Sequence, residues 1–501
     1  MKRRDFLKTG GTLAAGAVIA PSALVAPAGA PASGDGASMA GAPTAGTPET
    51  PENAGKEAPT SPASQPEIES LNDLEVPVRG LRPMVRKQVT AIMIGSGARG
   101  NTYAKCAEMF PEALKFVGVS DINDYRRDEF ARDYGIAEDR KYGDFSEILS
   151  VPKFADCAII CTPDDLHYAP AMMALKLGYH VLVEKPIAPT EKECRGILAL
   201  SLKTGLVVGT CHVLRYAPYF MTLREVLRKG MIGEVVSIQH QEPIQYQHMA
   251  HSYVRGNWRD SAQTTPIILA KSCHDLDILR WLIGRPCETI SADGSLYLFK
   301  AANAPEGAPA RCTDGCPHEP TCPYSAINIY VRQKKHTYVF DIPDRNDEAA
   351  LLEEIRKGPY GRCVFHCDNN QPDHYVAGMV FEGGVTASFS MDAFTPRGGR
   401  RTKVMGTTGY IEGDGHTFTL NDFRTGKQYL WDRDVSDIPE YKDSGHGGGD
   451  LALFRDFIEA VSYEDPGRLS STIDVSMESH LMGFAAEKSR RSRKKVKVRL
   501  G

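Results

Sequence analysis

The sequence predicts an α/β fold whose first part is a doubly wound, parallel sheet, and three observations carry that expectation. A strand-like apolar run, "QVTAIMIG", passes at once into "GSGARG" and then into a helix-compatible "NTYAKCAEMF". A second apolar run, "LKFVGVSD", ends in Asp121. From there to Cys211, near-continuous apolar strands alternate with helical stretches, the pattern of strands covered on both faces.

Taken in order, the chain of 501 residues does not begin with that sheet. Residues 1–30 read as an export signal. Arg3 and Arg4 are paired, a weakly apolar Ala/Gly run follows, and small residues stand at Ala28 and Ala30. The run is too short for a membrane span, which needs ~20 apolar residues, and the arginine pair points to the twin-arginine route and its translocon. Residues 31–80 are Ala-, Pro-, Gly-, Ser-, Thr- and Glu-rich and read as a disordered linker, because they offer too little apolar surface to offset ordering entropy. The expected boundaries are 81–212 for the first domain and 213–501 for the second, about 420 residues in all, a length suited to two domains.

The glycine turn has the G-x-G-x-x-G spacing in the strand–turn–helix context that dinucleotide binding needs. Gly95 permits the tight turn, Gly97 lets backbone approach a pyrophosphate, and Gly100 lets helix pack on strand, with Ala98 and Arg99 between them. The helix start supplies the positive end of a dipole. Asp121 lies 21 residues past Gly100, where a carboxylate meets ribose hydroxyls and repels a 2′-phosphate. NAD is therefore expected, with Arg126 and Arg127 keeping NADP open. "FADCAIICTPDDLH", "YHVLVEKP" and "LVVGTCH" are the later strands; Thr162, Pro163, Glu184 and Lys185 fall at carboxyl ends, where ligands bind such sheets.

Composition excludes other classes. A net charge of −4 argues against a nucleic-acid partner. The basic tail "EKSRRSRKKVKVRLG" carries alternating Val496 and Val498 and reads as an edge strand with a solvated face. No segment after the signal is apolar enough to span a membrane, so none is expected in the mature form.

"GSGARG", "CTPDDLHYAPAMMAL", "EKPIA", "HVLRYAP" and "HDLDILRWLIG", in that order, resemble the Gfo/Idh/MocA family, the family of glucose–fructose oxidoreductase and inositol dehydrogenase. The resemblance runs from about Val89 to the C-terminus. It implies a second α/β domain with a large, mainly antiparallel sheet whose open face serves oligomerisation, here a homodimer or homotetramer. "GGVTASFSMDAFTP" fits such a strand, with Val385, Ala387, Phe389 and Met391 on one face. It also implies that His167 and Arg215 join the cofactor site, and that export with a tightly held cofactor is possible.

The resemblance places Lys185 beside the reacting carbon, where its ammonium stabilises an alkoxide, and makes His274 the proton acceptor. Asp277, one helical turn on, is expected to orient His274. The sequence departs from the family where an aspartate usually stands four residues before the histidine. That position is Ala270, with Lys271 beside it as a stand-in or substrate ligand. Tyr216 belongs either to the cofactor site or to domain packing, and His446 either to the sugar pocket or to a surface loop. His248, His251, Tyr253, Arg255 and Trp258 offer polar and aromatic groups for a carbohydrate.

Cys312, Cys316 and Cys322, joined by Cys363 and Cys367, make a second motif. Cys312, Cys316, Cys322 and Cys363 would suit a structural zinc, and disulfides are an equal competitor in an oxidising compartment. The functional expectation is a periplasmic or otherwise extracytoplasmic NAD-dependent oxidoreductase. It would move hydride between bound cofactor and a sugar, glycoside or polyol hydroxyl. The alternative is an NAD-dependent glycosidase or lyase working through a transient 3-keto sugar, with no net redox. A sugar-binding scaffold that keeps NAD as a relic is the reading from another class.

Overall fold

The computed structural model describes residues 68–74, 76, 78–435, 441 and 445–499. The expected signal, with Arg3 and Arg4, and residues 31–67 of the expected linker lie outside the described residues. The last part of that linker is not a tether. Strand β1 (Ile68–Ser70) pairs in parallel with a later strand, Ile68 opposite Gln428 and Ser70 opposite Leu430. Leu71 is buried in the second core, and Arg79 reaches Asp456 and Glu459 at 2.6 and 3.0 Å. Three residues of backbone pairing and one buried leucine anchor the segment, too little apolar content to register in its composition.

The first sheet is built from β2 (Val89–Ile94), α1 (Ala98–Met109), β3 (Leu114–Ser120), α2 (Asp124–Asp133), β4 (Lys141–Tyr142), α3 (Phe145–Ile148), β5 (Cys157–Ile160), α4 (Tyr168–Lys176), β6 (His180–Val183), α5 (Glu191–Thr204) and β7 (Val208–Thr210). The strand order is β4-β3-β2-β5-β6-β7, and every pairing is parallel. The order reverses between β2 and β5, and the crevice at their carboxyl ends is where such sheets take ligands. Alternation drives the packing. Val89, Ala91 and Met93 of β2 enter one core, and Ile92 and Ile94 enter the core on the opposite face.

The rest of the chain gives α6 (Pro218–Arg228), β8 (Val235–Gln245), α7 (Tyr246–Met249), α8 (Ile267–Ala270), α9 (Cys273–Ile283), β9 (Cys287–Ser295), α10 (Glu348–Lys357), β10 (His374–Phe381), β11 (Thr386–Thr395), β12 (Arg401–Gly406), β13 (Gly409–Gly413), β14 (Thr417–Asp422), β15 (Gln428–Asp432), α11 (Gly449–Tyr463), α12 (Ile473–Ser492) and β16 (Val496–Lys497). They form a ten-stranded sheet in the order β1-β15-β14-β13-β12-β8-β11-β10-β9-β16. Only β1–β15 and β8–β11 pair in parallel. Ala387, Phe389 and Met391 of β11 point into its core, and β16 closes the edge against β9.

Two C-terminal helices cross back to the first sheet. Leu451, Phe454 and Phe457 of α11 share a core with Tyr103 and Phe116, and Tyr103 stacks on Phe454 with centroids 5.4 Å apart. Ile473, Met477 and Leu481 of α12 pack into the opposite core. The second half of the chain thus completes the first layer and carries side chains to its strand ends. Among the described residues no helix is long and apolar enough to cross a membrane.

Candidate active site

The glycine turn sits at the tip of β2. Gly95 has φ +91°, and a Cβ there would stand 2.7 Å from the carbonyl oxygen of Cys161 at the end of β5. A Cβ on Gly100 would meet the Gly95 oxygen at 2.4 Å. Gly97 differs: a Cβ would meet nothing nearer than Arg126 Nη1 at 3.8 Å. Its backbone, followed directly by Ala98 at the start of α1, is open to an approaching group. Asp121 accepts from Ser96 N and Oγ (2.8 and 3.1 Å) and from Asn123 N (2.9 Å), which fixes its carboxylate beside the turn. Gly95→Ala therefore combines a forbidden φ with a main-chain clash. Purified G95A is expected to lose at least about tenfold of its bound nucleotide relative to wild type, read by absorbance of the deproteinised supernatant.

At β6, Glu184 Oε1 accepts from Tyr103 OH (2.7 Å) and Arg99 Nε (2.6 Å), and its Oε2 accepts from Lys185 N (2.8 Å). Arg99 also donates to Asp450 Oδ1 at 2.8 Å. Arg99, expected at the cofactor, ties Glu184 to Asp450 at the start of α11 through its guanidinium. Against its burial, Tyr103 and then the two carboxylates hold Arg99 protonated. His167 spans Pro186 O (2.7 Å) and Thr162 O (2.9 Å), bolting the turn after β5, with Pro163, to the cis Lys185–Pro186 turn.

Lys185 Nζ donates to the Ala270 carbonyl oxygen at 2.6 Å and lies 5.9 Å from the centroid of Trp258. Trp258 is held by Asp164, which accepts from its Nε1 at 2.9 Å and from Thr265 Oγ1 at 2.7 Å. Where the usual aspartate is missing at position 270, the main-chain carbonyl still holds the ammonium.

His274 stands at the start of α9, nearly buried. Its Nδ1 has no partner among the described residues. Burial, then Lys185 and His446, push its pKa well below the usual histidine value, so the ring is neutral at neutral pH, with its lone pair free of a proton. Its ring centroid lies 6.0 Å from that of His212 and 5.6 Å from that of His446. His446 in turn faces Asp450 Oδ1 at 3.0 Å. That loop histidine, followed by three glycines, lies at the site and not on remote surface.

Asp277 does not orient His274. Both of its oxygens accept from Arg215, Nε to Oδ2 and Nη2 to Oδ1, each at 2.6 Å. One helical turn points Asp277 toward the start of α6, where Arg215 is buried and also holds Ser470 O at 2.7 Å. Arg215, expected at the cofactor, is here the buried ion-pair partner of Asp277. Tyr216 OH likewise packs the junction, 2.9 Å from Ser471 Oγ. Lys271 pairs with Glu242 Oε1 at 3.0 Å. Behind it, Arg400 binds Asp275 Oδ1 (2.6 Å) and Glu242 Oε2 (3.0 Å), and His240 faces Asp275 at 3.0 Å. Neither Glu242 nor Arg400 carries a local motif, and Asp275, inside the quoted HDLDILRWLIG stretch, shows its role only through tertiary folding.

An aromatic wall flanks these groups. Tyr253 and Trp258 have centroids 6.1 Å apart, His248 and Tyr253 6.1 Å, and His251 stacks on His336 at 4.4 Å. Burial, with Lys271 the leading charge, pushes His248 down to about 3.

Residues 89–212 match the family model described as the oxidoreductase family's NAD-binding Rossmann fold, and residues 224–498 match that of its C-terminal alpha/beta domain. The chain belongs to the Gfo/Idh/MocA oxidoreductase family. It is 28% identical over 324 residues to the putative oxidoreductase YteT of Bacillus subtilis, covering 62% of this chain and 74% of YteT. It is 25% identical to the myo-inositol 2-dehydrogenase of Thermotoga maritima, covering 41% of this chain and 58% of that enzyme. Over 148 residues it is 28% identical to the 2,7-anhydro-N-acetylneuraminate hydratase of Escherichia coli, covering 30% and 39% of the two chains. A solved levoglucosan dehydrogenase complexed with NADH and levoglucosan shares the fold, with a TM-score of 0.59 and 16% identity over 82% of this chain and all of that one.

As a Gfo/Idh/MocA oxidoreductase, the chain presents a glycine turn that fits NAD. The open Gly97 backbone, the N-terminus of α1 and the fixed Asp121 are the groups that would hold its pyrophosphate and ribose.

The cysteine motif lies apart, in the insertion of residues 296–372. All twelve cysteines are unpaired, so the expected disulfides are not formed. Cys312, Cys316, Cys322 and Cys363 line one cavity of about 20 Å³. Among the described residues only two groups of three or more bring potential metal-ligand atoms within 4.8 Å of one another: His212–Cys273–His274 and His416–Asp432–Asp434. The four cysteines, which share that cavity with Arg255, form no such group, so the expected structural zinc is not supported.

Proposed function

We propose that this protein is an exported, NAD-dependent oxidoreductase that moves hydride between a carbinol C–H of a sugar, glycoside or polyol and a tightly held nicotinamide cofactor. The observation that carries the reading is that Lys185, at the end of β6 and held on Ala270 O, is the leading charge acting on the buried, neutral His274. When bound, NAD supplies the hydride acceptor. The chain supplies the rest. Lys185 donates a hydrogen bond to the substrate oxygen and stabilises its developing charge. His274 takes the hydroxyl proton at a ring nitrogen. The ring wall of Tyr253 and Trp258 offers faces on which a sugar stacks, and Lys271 and Glu242 offer polar contacts to its other hydroxyls. The named substrates of relatives, myo-inositol and levoglucosan, are polyhydroxylated compounds of that kind.

The paired arginines of the leader support export by the twin-arginine route to the periplasm, and cell fractionation tests this. Val236 and Val376, both exposed on the large sheet, support assembly into a homodimer or homotetramer through that face; light scattering tests it.

The similarity to a hydratase favours a second reading. In it, transient oxidation acidifies a neighbouring C–H, a substituent leaves, and reduction restores the cofactor without net redox. One experiment separates the two readings. The purified protein is mixed with candidate sugars and glycosides and no added acceptor. Accumulated nicotinamide absorbance without bond cleavage supports the dehydrogenase; release of aglycone or water without net reduced cofactor supports the lyase. If neither appears with any polyol or glycoside, the CH–OH assignment fails.

A further inference from the structure

Arg126 and Arg127 are the cations near the ribose corner of the nucleotide site, and both already face carboxylates. Arg127 Nη2 meets Asp124 Oδ1 at 2.8 Å, and its Nη1 donates to Asp121 O at 3.4 Å. Arg126 has a distant partner. Asp341, 215 residues on and inside the insertion of residues 296–372, accepts from Arg126 Nε at 2.8 Å and from its Nη2 at 3.1 Å, one bond to each carboxylate oxygen. Asn123 Nδ2 donates to the same carboxylate at 2.8 Å. Asn123 N is bound to Asp121, the expected ribose ligand, at 2.9 Å, and Asn123 Oδ1 accepts from Arg126 N at 3.2 Å. Arg126 Nη1 lies 3.8 Å from where a Cβ on Gly97 would stand. The guanidinium thus sits between the glycine turn and Asp341. A nucleotide seated on that turn has Asp121 and Asp341 as the carboxylates at its ribose end.

The insertion brings Asp341 there on a braced segment. Phe340 is buried in the insertion's own small core with Tyr330, Leu351 and Ile355. Its ring meets those of Tyr330 and Tyr360 edge-on, with centroids 5.5 and 5.8 Å apart. Phe340 N closes a turn onto Thr337 O at 3.1 Å. The same turn sets His336 against His251 at 4.4 Å and Tyr338 near it at 5.9 Å. Residues 336–341 therefore reach both the aromatic wall and the ribose corner. The Arg126 and Asp341 side chains are 36% and 28% exposed, so solvent screens their pairing only in part.

Building on the NAD reading above, we propose that Asp341 sets the choice of NAD over NADP, by occupying the guanidinium of Arg126 and adding a second negative group beside Asp121. An arginine fork binds carboxylate and phosphate in the same bidentate way, so Asp341 and a 2′-phosphate compete for one partner. Asp341 has the advantage of being tethered, because Phe340 fixes its backbone in the insertion's core. An arriving 2′-phosphate meets two carboxylates, with both nearby arginines already paired. A plain 2′-hydroxyl brings no charge to that corner and leaves the Arg126–Asp341 pair intact. Selectivity for the cofactor is thus contributed by the far half of the chain, outside the glycine motif and outside the strand that ends in Asp121.

The test is calorimetric titration of the full chain, stripped of nucleotide, with NAD and with NADP. Wild type is expected to bind NAD the more tightly. D341A is expected to bring the ratio of the two dissociation constants at least about tenfold toward NADP, since it frees a charge-assisted fork for the 2′-phosphate. In the double variant R126A/D341A that gain should disappear, which a merely structural role for the pair does not predict. If D341A does not fold, D341N, which removes the charge and keeps the shape, is read in its place. A wild-type preference for NADP, an unmoved ratio in the Asp341 variant, or a gain that survives loss of Arg126 overturns the assignment. Failure of wild type to bind either nucleotide removes the NAD reading along with it, whereas tight NAD binding with an unmoved ratio removes the role of Asp341 alone.

Discussion

Replacing Lys185 with methionine is expected to lower kcat/KM by about a thousandfold while leaving bound nucleotide and Tm close to wild type. The ammonium loses one hydrogen bond to Ala270 O at 2.6 Å, but the methionine stem can still pack near Trp258. Glu184 keeps Arg99 and Tyr103 as partners. What disappears is a charge at the substrate oxygen, worth most in the transition state. Replacing His274 with asparagine should cost about a hundred- to ten-thousandfold through loss of the proton acceptor. The double variant should be little worse than the poorer single one, because the two groups act on one oxygen and its proton. The pH profile separates the roles. In wild type the acid limb of sugar oxidation should lie well below the usual histidine value, because burial and Lys185 hold His274 neutral there. Activity is lost as pH falls through that depressed value, when the base becomes protonated. In H274N this limb should vanish. Turnover within a few-fold of wild type in both single variants would remove the mechanism.

The sequence made the first sheet legible because each signal was local. A glycine turn between an apolar strand and a helix, and strand ends marked by Thr162, Glu184 and Lys185, are set by neighbours in the chain. The start of α9 near His274 was legible for the same reason. What failed was partner choice across the fold. Asp277 sits one turn from His274, yet its direction is fixed by Arg215, 62 residues earlier. Arg99 lies inside a nucleotide motif, yet its guanidinium is paired with two buried carboxylates, one contributed by α11, and with Tyr103. Glu242 lies in β8 and Arg400 just before β12, with no shared pattern. β1 escaped notice because its anchoring is backbone pairing and one leucine, which composition does not register. Periodicity reports what a segment buries, while ion pairing inside a site depends on which segments fold beside it.

Acidification is expected to unfold the protein well before its carboxylates titrate. Five buried histidines carry the effect. Burial pushes His212 down to about 4, His248 and His480 to about 3, His251 to about 2, and His274 well below its usual value. In the unfolded chain each returns to ~6.5. Below that pH the unfolded state binds protons that the folded state refuses, so stability falls as pH falls, at about 1.4 kcal/mol per pH unit per histidine. At pH 5.5 this is about 1.4 kcal/mol each, or about 7 kcal/mol if the five acted independently. That is comparable with the whole stability of an ordinary domain. Mutual coupling between His212, His274 and His480, whose rings are near neighbours, lowers the sum without changing its sign. The depressed carboxylates act elsewhere: Asp275, near 2, and Asp277 lose their contribution only at lower pH. Differential scanning calorimetry between pH 8 and 5 should show Tm nearly flat above pH 7 and falling steeply below 6.5. Proton uptake on unfolding near pH 5.5 should reach about four. His480→Gln should flatten the slope by close to one proton. A Tm unchanged down to pH 5 would mean that these imidazoles are solvated or already paired as cations, and would take with it the neutral His274 on which proton abstraction depends.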